Sequence, residues 1–453
     1  MLSTLGSISN AVHGQLQGDG NQTVTGISID TRTLESGELF FALRGERDGH
    51  QFLEAAQYRG AAGAVVNIYQ ENLSLPQIVV KDSLQALQSL AQKKLAMLKV
   101  HVVAVTGSNG KTTTKDIIAS VLGTKYRTLK TQGNFNNEIG LPLTLLQLDE
   151  RYQAAVVEMA MRGRDQIRRL TEIAPPNVGV ITNISSTHME LLGSMKNIAA
   201  AKGELLEGLA SGGTAILNGD DHRCRDLGRN FKGKKIYFGL NEGNELRAVN
   251  IKQQGWRTYF SVPALGAGEF HLPLPGLHNI RNAMSALAVA SSMNIPVPLM
   301  QEGLENVSLS SMRLETLRGV DSSLIINDAY NANPASTMAS LQILKEFARK
   351  RSIAVLGDMF ELGEYSEEGH REVGRKTVEL GIDYLFTVGN MAESIGKEAI
   401  KQGMETDRVY HFPKREEALT AVQSIIRKGD TVLVKGSRGM QMESIAQGLT
   451  ARD

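Results

Sequence analysis

Residues 103 to 114 read Val-Ala-Val-Thr-Gly-Ser-Asn-Gly-Lys-Thr-Thr-Thr, an apolar run that breaks at glycine and resumes as a helix. No other stretch constrains the fold as much. A strand must deliver the chain to a tight Gly-rich turn, and a helix must start at Lys111 so that its free N–H groups face what the turn holds. Such N–H groups bind phosphate oxygens, Lys111 reaches the outer phosphates, and the Thr112 hydroxyl reaches Mg²⁺. One position departs from the full pattern: Val105 stands where a further glycine is usual. The surroundings support the assignment. Residues 100–105 are β-rich, and Ile117, Ile118, Val121 and Leu122 recur at helical spacing after the loop. The expected nucleotide-binding stretch is therefore Gly107, Ser108, Asn109, Gly110, Lys111, Thr112 and Thr113.

The length, 453 residues, allows two to four domains at roughly 150 residues each. A net charge of +1 gives no overall field toward nucleic acid or membrane, so anionic ligands must be met by local positive sites. No run of about 18 apolar residues predicts a membrane span, and the first residues lack the order of a signal peptide. The single cysteine, Cys224, leaves no disulfide framework and reads as an inert thiol; a cytoplasmic location is expected.

Short apolar runs at 26–29, 39–43, 64–66 and 78–80, then a helical period over 84–98, predict a small α/β unit over residues 1–99. A second unit, 100–311, has buried-strand candidates at 100–105, 154–160, 178–182, 214–217 and 235–238. Helical segments between them argue for a largely parallel sheet. Residues 246–275 alternate and predict a β-rich insert; 277–293 return to helix. In the third unit, 312–453, strands at 323–327, 352–356, 384–388, 408–412 and 430–434 are each followed by a helical pattern. This predicts a doubly wound, Rossmann-like unit, without the Gly-x-Gly-x-x-Gly of a dinucleotide site.

Candidate chemistry lies at strand ends. Glu158 is placed as a Mg²⁺ partner or as a surface acid at a strand end. His188 follows another apolar strand and is either a ligand or structural. Lys202 stands inside a helical apolar stripe, four residues from Ile198 and four from Leu206; it must snorkel, pair or lose its charge, and a neutral amine can take up CO₂ as a carbamate. Snorkelling is the expected outcome. Asn134, Asn136 and Asn137 form either a ligand loop or a plain turn. Asn279 and Asn282 either read an adenine edge or cap a helix. Arg313 follows a Ser-rich joint and is a surface cation or swings onto phosphate. Polar turns at 327–334, 357–363 and 435–439 share one sheet edge, where Asp328 suits ribose hydroxyls and Lys435 and Arg438 suit a carboxylate.

Taken together, Thr106-Gly-Ser-Asn-Gly-Lys-Thr-Thr113, the pair Asn183 and His188, His278-Asn-Ile-Arg-Asn282 and Asp328-Ala-Tyr-Asn-Ala-Asn-Pro334 resemble the Mur ligases, ATP-dependent amide-bond ligases of peptidoglycan synthesis. Ser28-Ile-Asp-Thr-Arg32 and Gly37-Glu-Leu-Phe-Phe-Ala-Leu-Arg-Gly45 resemble a uridine-nucleotide domain of that family. Gly133-Asn-Phe-Asn-Asn-Glu-Ile-Gly140 and Gly357-Asp-Met-Phe-Glu-Leu-Gly363 are similar to the branch that adds D-alanyl-D-alanine to UDP-N-acetylmuramoyl-tripeptide. The resemblance implies an α/β fold of three domains: a UDP-substrate domain, a central ATP-binding domain and a Rossmann-like domain. It implies ATP, two Mg²⁺ ions, metal contacts from Thr112, Glu158, His188 and a carbamylated Lys202, and catalytic roles for Lys111, Lys202 and His188. It assigns Asn282 to adenine, Asp328 to ribose and Arg313 to phosphate, and counts Asn279 among the ATP-binding residues. Substrate contacts are expected from Ser28, Asp30, Arg32, Asn134, Asn136, Asn137, Tyr330, Asn331, Lys435 and Arg438. Ser310-Ser-Met-Arg313 departs from the family's Pro-Gly-Arg. A monomer without nucleic-acid or membrane partners is expected. Rival readings are a relative that adds a diamino acid, a folylpolyglutamate synthase, or a P-loop ATPase without ligase activity.

Overall fold

The computed structural model describes residues 3–185, 187, 189–266 and 268–451, so His188 lies outside the described residues. Among the described residues, four sheets organise the chain. The first has strands in the order Gln15–Gln17, Gln77–Val79, Gly63–Val66, Glu38–Phe41 and Gly26–Ser28, with only the first pair antiparallel. Helix Ser83–Met97 follows, its start capped by Asp82, which accepts the Gln85 N–H at 2.9 Å. It serves two cores: Ala86, Leu87 and Leu90 pack on the first sheet, and Ala91 and Leu95 on the next unit.

The second sheet is parallel throughout. Its order is Leu246–Arg247, Lys234–Gly239, Thr214–Asn218, Val178–Ile181, His101–Thr106, Ala154–Glu158 and Thr128–Lys130. In the strand His101–Thr106, Val103 and Val105 face helices Lys111–Gly123 and Leu277–Ser292, while Val102 and Ala104 face the opposite core. Burial on both faces explains the unbroken apolar run in the sequence. The predicted β-rich insert is an antiparallel sheet of Val249–Gln254, Arg257–Ser261 and Glu269–Leu272, in which Phe260 stacks on Phe270.

The last sheet runs Glu315–Arg318, Leu324–Asn327, Thr431–Lys435, Ser352–Gly357, Tyr384–Val388 and Val409–Phe412, antiparallel only at its first pair. Its final strand inserts between the first two parallel ones. Helices Pro334–Phe347, Ser366–Glu379 and Glu393–Lys401 therefore cover one face, and Arg415–Ile425 and Glu443–Gly448 the other. Residues 133–142, expected as a turn, end instead in helix Gly140–Leu145. Pro142 is tolerated there because the N–H groups of a first turn have no partner within the helix.

One buried ionic cluster ties the phosphate-loop helix to the joint before the last sheet. Asp116 and Lys115 are both closed to solvent. One Asp116 oxygen receives Lys130 at 2.7 Å and Lys115 at 3.3 Å; the other receives the N–H and hydroxyl of Ser310, both at 2.8 Å. Lys115 also donates to the Thr131 carbonyl at 2.7 Å. Burial pushes the Asp116 carboxyl up, but Lys115 and Lys130 outweigh it and hold the group below its usual range. Asp116→Ala leaves Lys115 buried beside a second cation with no acid between them. It is expected to cost about 3–5 kcal/mol, seen as a lower urea midpoint than that of the parent.

Candidate active site

The three sheet-bearing units meet around a cleft of ≈ 1660 Å³, lined by Gln88 of the first, Lys111 and Glu158 of the second and Asp328 of the third. Its floor is the loop between His101–Thr106 and Lys111–Gly123. Gly107 (φ +149°) and Gly110 (φ +78°) adopt backbone conformations that favour glycine, and a Cβ on Gly107 would lie 1.9 Å from the Thr182 hydroxyl. The loop is fastened to the neighbouring strand end. The N–H groups of Ser108 and Asn109 donate to the carbonyl and side-chain oxygen of Asn183, each at 2.9 Å, and Thr182 donates to the Asn109 carbonyl at 2.6 Å. Lys111 turns back on the Gly107 carbonyl at 2.9 Å. Burial lowers its pKa while Glu158 opposes the shift.

Glu158 ends its strand beside this loop, and Val105 is its register partner. The carboxylate is only 3% exposed. Thr112 donates to one oxygen and Asn136 to the other, both at 2.8 Å, and the Glu158 N–H donates to the Thr131 hydroxyl at 3.0 Å. Arg313 reaches across from the joint, donates to the Thr112 hydroxyl at 2.9 Å and lies 4.2 Å from the Tyr330 ring centroid. Thr112 and Glu158 thus bring two hard oxygens together in a buried place, a pair that fits one side of a Mg²⁺ shell. Among the described residues, no three His, Cys, Asp or Glu side chains form a metal cage.

Lys202 corrects an expectation. It does not snorkel: on helix Met195–Glu207 the residue is 2% exposed, between buried Ile198 and Leu206. Among the described residues it makes no hydrogen bond. Burial first, and Lys111 second, push its pKa well below the ordinary range. Cys224 is buried and its thiol is pushed up, as expected of an inert group.

Asn279 and Asn282 line the cleft but do not cap their helix; Gly276 does, at φ +90°. Asn279 donates to the Pro275 carbonyl at 2.8 Å, and Asn282 donates to Asn279 and accepts from Thr114, both at 3.2 Å. This chain joins the two helices that flank the loop. In the last unit, Asp328, Tyr330, Asn331, Lys435 and Arg438 all line the cleft. Lys435 and Arg438 are both paired. Lys435 pairs with Asp328 and donates to the Asn331 carbonyl at 3.1 Å, and Arg438 pairs with Glu443 at 2.8 Å. Asp328 also accepts from Ser340 at 2.7 Å. Asn134, Asn136 and Asn137 line the cleft, and Asn137 accepts the Gly140 N–H at 2.8 Å. Ser28, Asp30 and Arg32 are not among its lining residues; Arg32 pairs with Asp30 at 2.6 Å and Ser28 donates to the Asp30 carbonyl. The sequence reading missed Asp220, whose carboxylate takes the Leu240 N–H at 2.9 Å and Arg281 at 3.0 Å, fixing the wall near His278. Its only trace is an Asp after an apolar strand.

Comparison with known proteins identifies the family. The Mur ligase middle domain matches residues 105–290, and the Mur ligase, glutamate ligase domain matches 312–438. The chain belongs to the Mur ligase family. It is 40% identical to the UDP-N-acetylmuramoyl-tripeptide–D-alanyl-D-alanine ligase of Bacillus subtilis, over 98% of both chains. A crystal structure of MurF from Acinetobacter baumannii superposes with a TM-score of 0.89 at 31% identity, covering 99% of this chain and 98% of that one. MurF ligase from Thermotoga maritima, in complex with ADP, gives 0.82 at 28% identity over 94% and 96%.

His278 provides a pH test of this wall. Burial lowers its pKa to about 4, with Asp328 opposing. The folded state therefore binds fewer protons than the unfolded state, and stability is lost as pH falls from about 6.5 toward 4. The melting temperature of the parent is expected to fall more between pH 7 and pH 4.5 than that of His278→Gln.

Proposed function

We propose that this chain joins the amine of D-alanyl-D-alanine to the terminal carboxylate of UDP-N-acetylmuramoyl-tripeptide, with ATP cleaved to ADP and phosphate. The observation that carries this reading is the Thr112–Glu158–Arg313 cluster, set beside a phosphate loop at the meeting point of three units. A carboxylate is a poor acyl donor because oxide is a poor leaving group. Attack of a carboxylate oxygen on the γ-phosphorus, with departure of ADP, gives an acyl phosphate. The dipeptide nitrogen then attacks the acyl carbon and phosphate departs. Both reactants of the first step are anions, so the site must hold negative charges together. Lys111 and the free N–H groups at the start of its helix would take the phosphates, and Arg313 would offset charge that develops on the transferring group. Glu158 and Thr112 would hold Mg²⁺, which would offset the negative charge of the phosphates.

The same reading assigns Lys202, as its carbamate, and His188 to a second Mg²⁺, Asn279 and Asn282 to the adenine end, and Asp328 to the ribose. Tyr330, Asn331 and the asparagines of 134–137 face the substrates. It divides the chain near residues 99 and 311, and it makes the enzyme a cytoplasmic monomer. Among the described residues, no helix is long and apolar enough to cross a membrane.

Two measurements test the reading. Phosphate release from ATP is expected only when UDP-muramoyl-tripeptide and D-alanyl-D-alanine are both present; release indifferent to both substrates leaves a simple ATPase. Lys202→Ala is expected to lose most activity, and a short-chain carboxylate to restore part of it. Full activity of Lys202→Ala in CO₂-depleted buffer removes the carbamate from the mechanism.

A further inference from the structure

Asn333 closes the turn after strand Leu324–Asn327 and has no role in the chemistry above. It caps helix Pro334–Phe347: its side-chain oxygen accepts the Ser336 N–H at 2.9 Å, and its own N–H donates to the Ser336 hydroxyl at 3.1 Å. With the oxygen committed, the side-chain nitrogen is left over. It donates at 2.5 Å to the side-chain oxygen of Asn109, at the tip of the phosphate loop. The orientation of Asn109 is fixed as well. Its side-chain nitrogen donates to the Ser185 hydroxyl at 3.2 Å, its N–H donates to Asn183, and its carbonyl accepts from Thr182 and Asn183. All of its groups but one are engaged with the strand end of its own unit. The remaining acceptor faces the last unit and meets Asn333.

We propose that Asn333 is a positioning residue that latches the last unit onto the phosphate loop. Through it, the docking of that unit and the shape of the loop are set together. A nucleotide that holds the loop in this shape presents the Asn109 oxygen to Asn333. By linkage, docking of the last unit raises nucleotide affinity by the same factor. A second contact, Arg313 on Thr112, ties the last unit to the helix that follows the same loop. Only the kinetic part of this inference rests on the ligase reading; the binding part does not.

The cap and the latch can be separated. Asn333→Ser keeps a good N-cap, but a hydroxyl committed to Ser336 does not span to Asn109. Asn333→Ala removes both functions. Asn333→Ser is expected to keep the parent's melting temperature and to lose roughly threefold to tenfold in affinity for a non-hydrolysable ATP analogue, the size of one hydrogen bond. Its kcat/KM for ATP should fall by a similar factor, mainly through KM. Asn333→Ala should show the same loss with a lower melting temperature. In an Asn109→Ala background, Asn333→Ser should change nothing further. The latch is overturned if Asn333→Ser binds the analogue as the parent does, or if the Asn109 and Asn333 losses multiply. A parent that binds the analogue but releases no phosphate with both substrates overturns the ligase reading and leaves the binding test of the latch intact.

Discussion

A carboxylate buried to 3% exposure is costly unless its oxygens are satisfied, and Glu158 is satisfied by residues from separate segments. Thr112 comes from the phosphate-loop helix, Asn136 from the Asn-rich turn, and Thr131, which takes the Glu158 N–H, from the end of the edge strand. Each of these segments is placed by the need to meet one group. The same arrangement explains why Arg313 arrives where it does. Thr112 spends its hydrogen on Glu158, which leaves its oxygen free to accept from the guanidinium at 2.9 Å.

The charges around this point are balanced pair by pair, since unpaired charges of one sign repel strongly away from water. Glu158 offsets Lys111, and Asp116 offsets Lys115 and Lys130. Lys202 has no acid of its own among the described residues. Its depressed pKa follows from burial and from Lys111 nearby, because a second charged lysine in that core would have neither water nor a counter-ion.

How legible these features were in the sequence depended on how local their cause is. Strand His101–Thr106 was readable because burial on both faces demands an unbroken apolar run, and Lys202 because it interrupts a stripe. Thr112 and Glu158 were readable from the order strand, loop, helix, strand. The edge strands Gln15–Gln17 and Glu315–Arg318 were not: both are short, and polar residues alternate with the few apolar ones. Asp116 was not either. On a helix it reads as an exposed acid, and only folding brings Lys130 and Ser310 to it from far along the chain. Ser28, Asp30 and Arg32 are the local case: a polar cluster close in sequence meets its own hydrogen-bonding needs as a turn.

The two outer units are attached to the central one in different ways. The first shares a core with it, since Ile139, Leu143 and Leu146 pack on the cluster of Leu87 and Leu90 and Gln88 and Gln92 donate across the joint. Separating those units would expose apolar surface. The contacts described for the last unit are mainly polar: Asn333 on Asn109 and Arg313 on Thr112, with Trp256 stacked on Phe347 as an apolar exception. Opening there exposes little apolar area, and water can replace the hydrogen bonds. The joint itself is strained. Met312 (φ 58°) and Leu314 (φ 49°), on either side of Arg313, are left-handed without being glycine, at roughly 1 kcal/mol each. Contacts worth about 1 kcal/mol apiece therefore stand against strain of similar size.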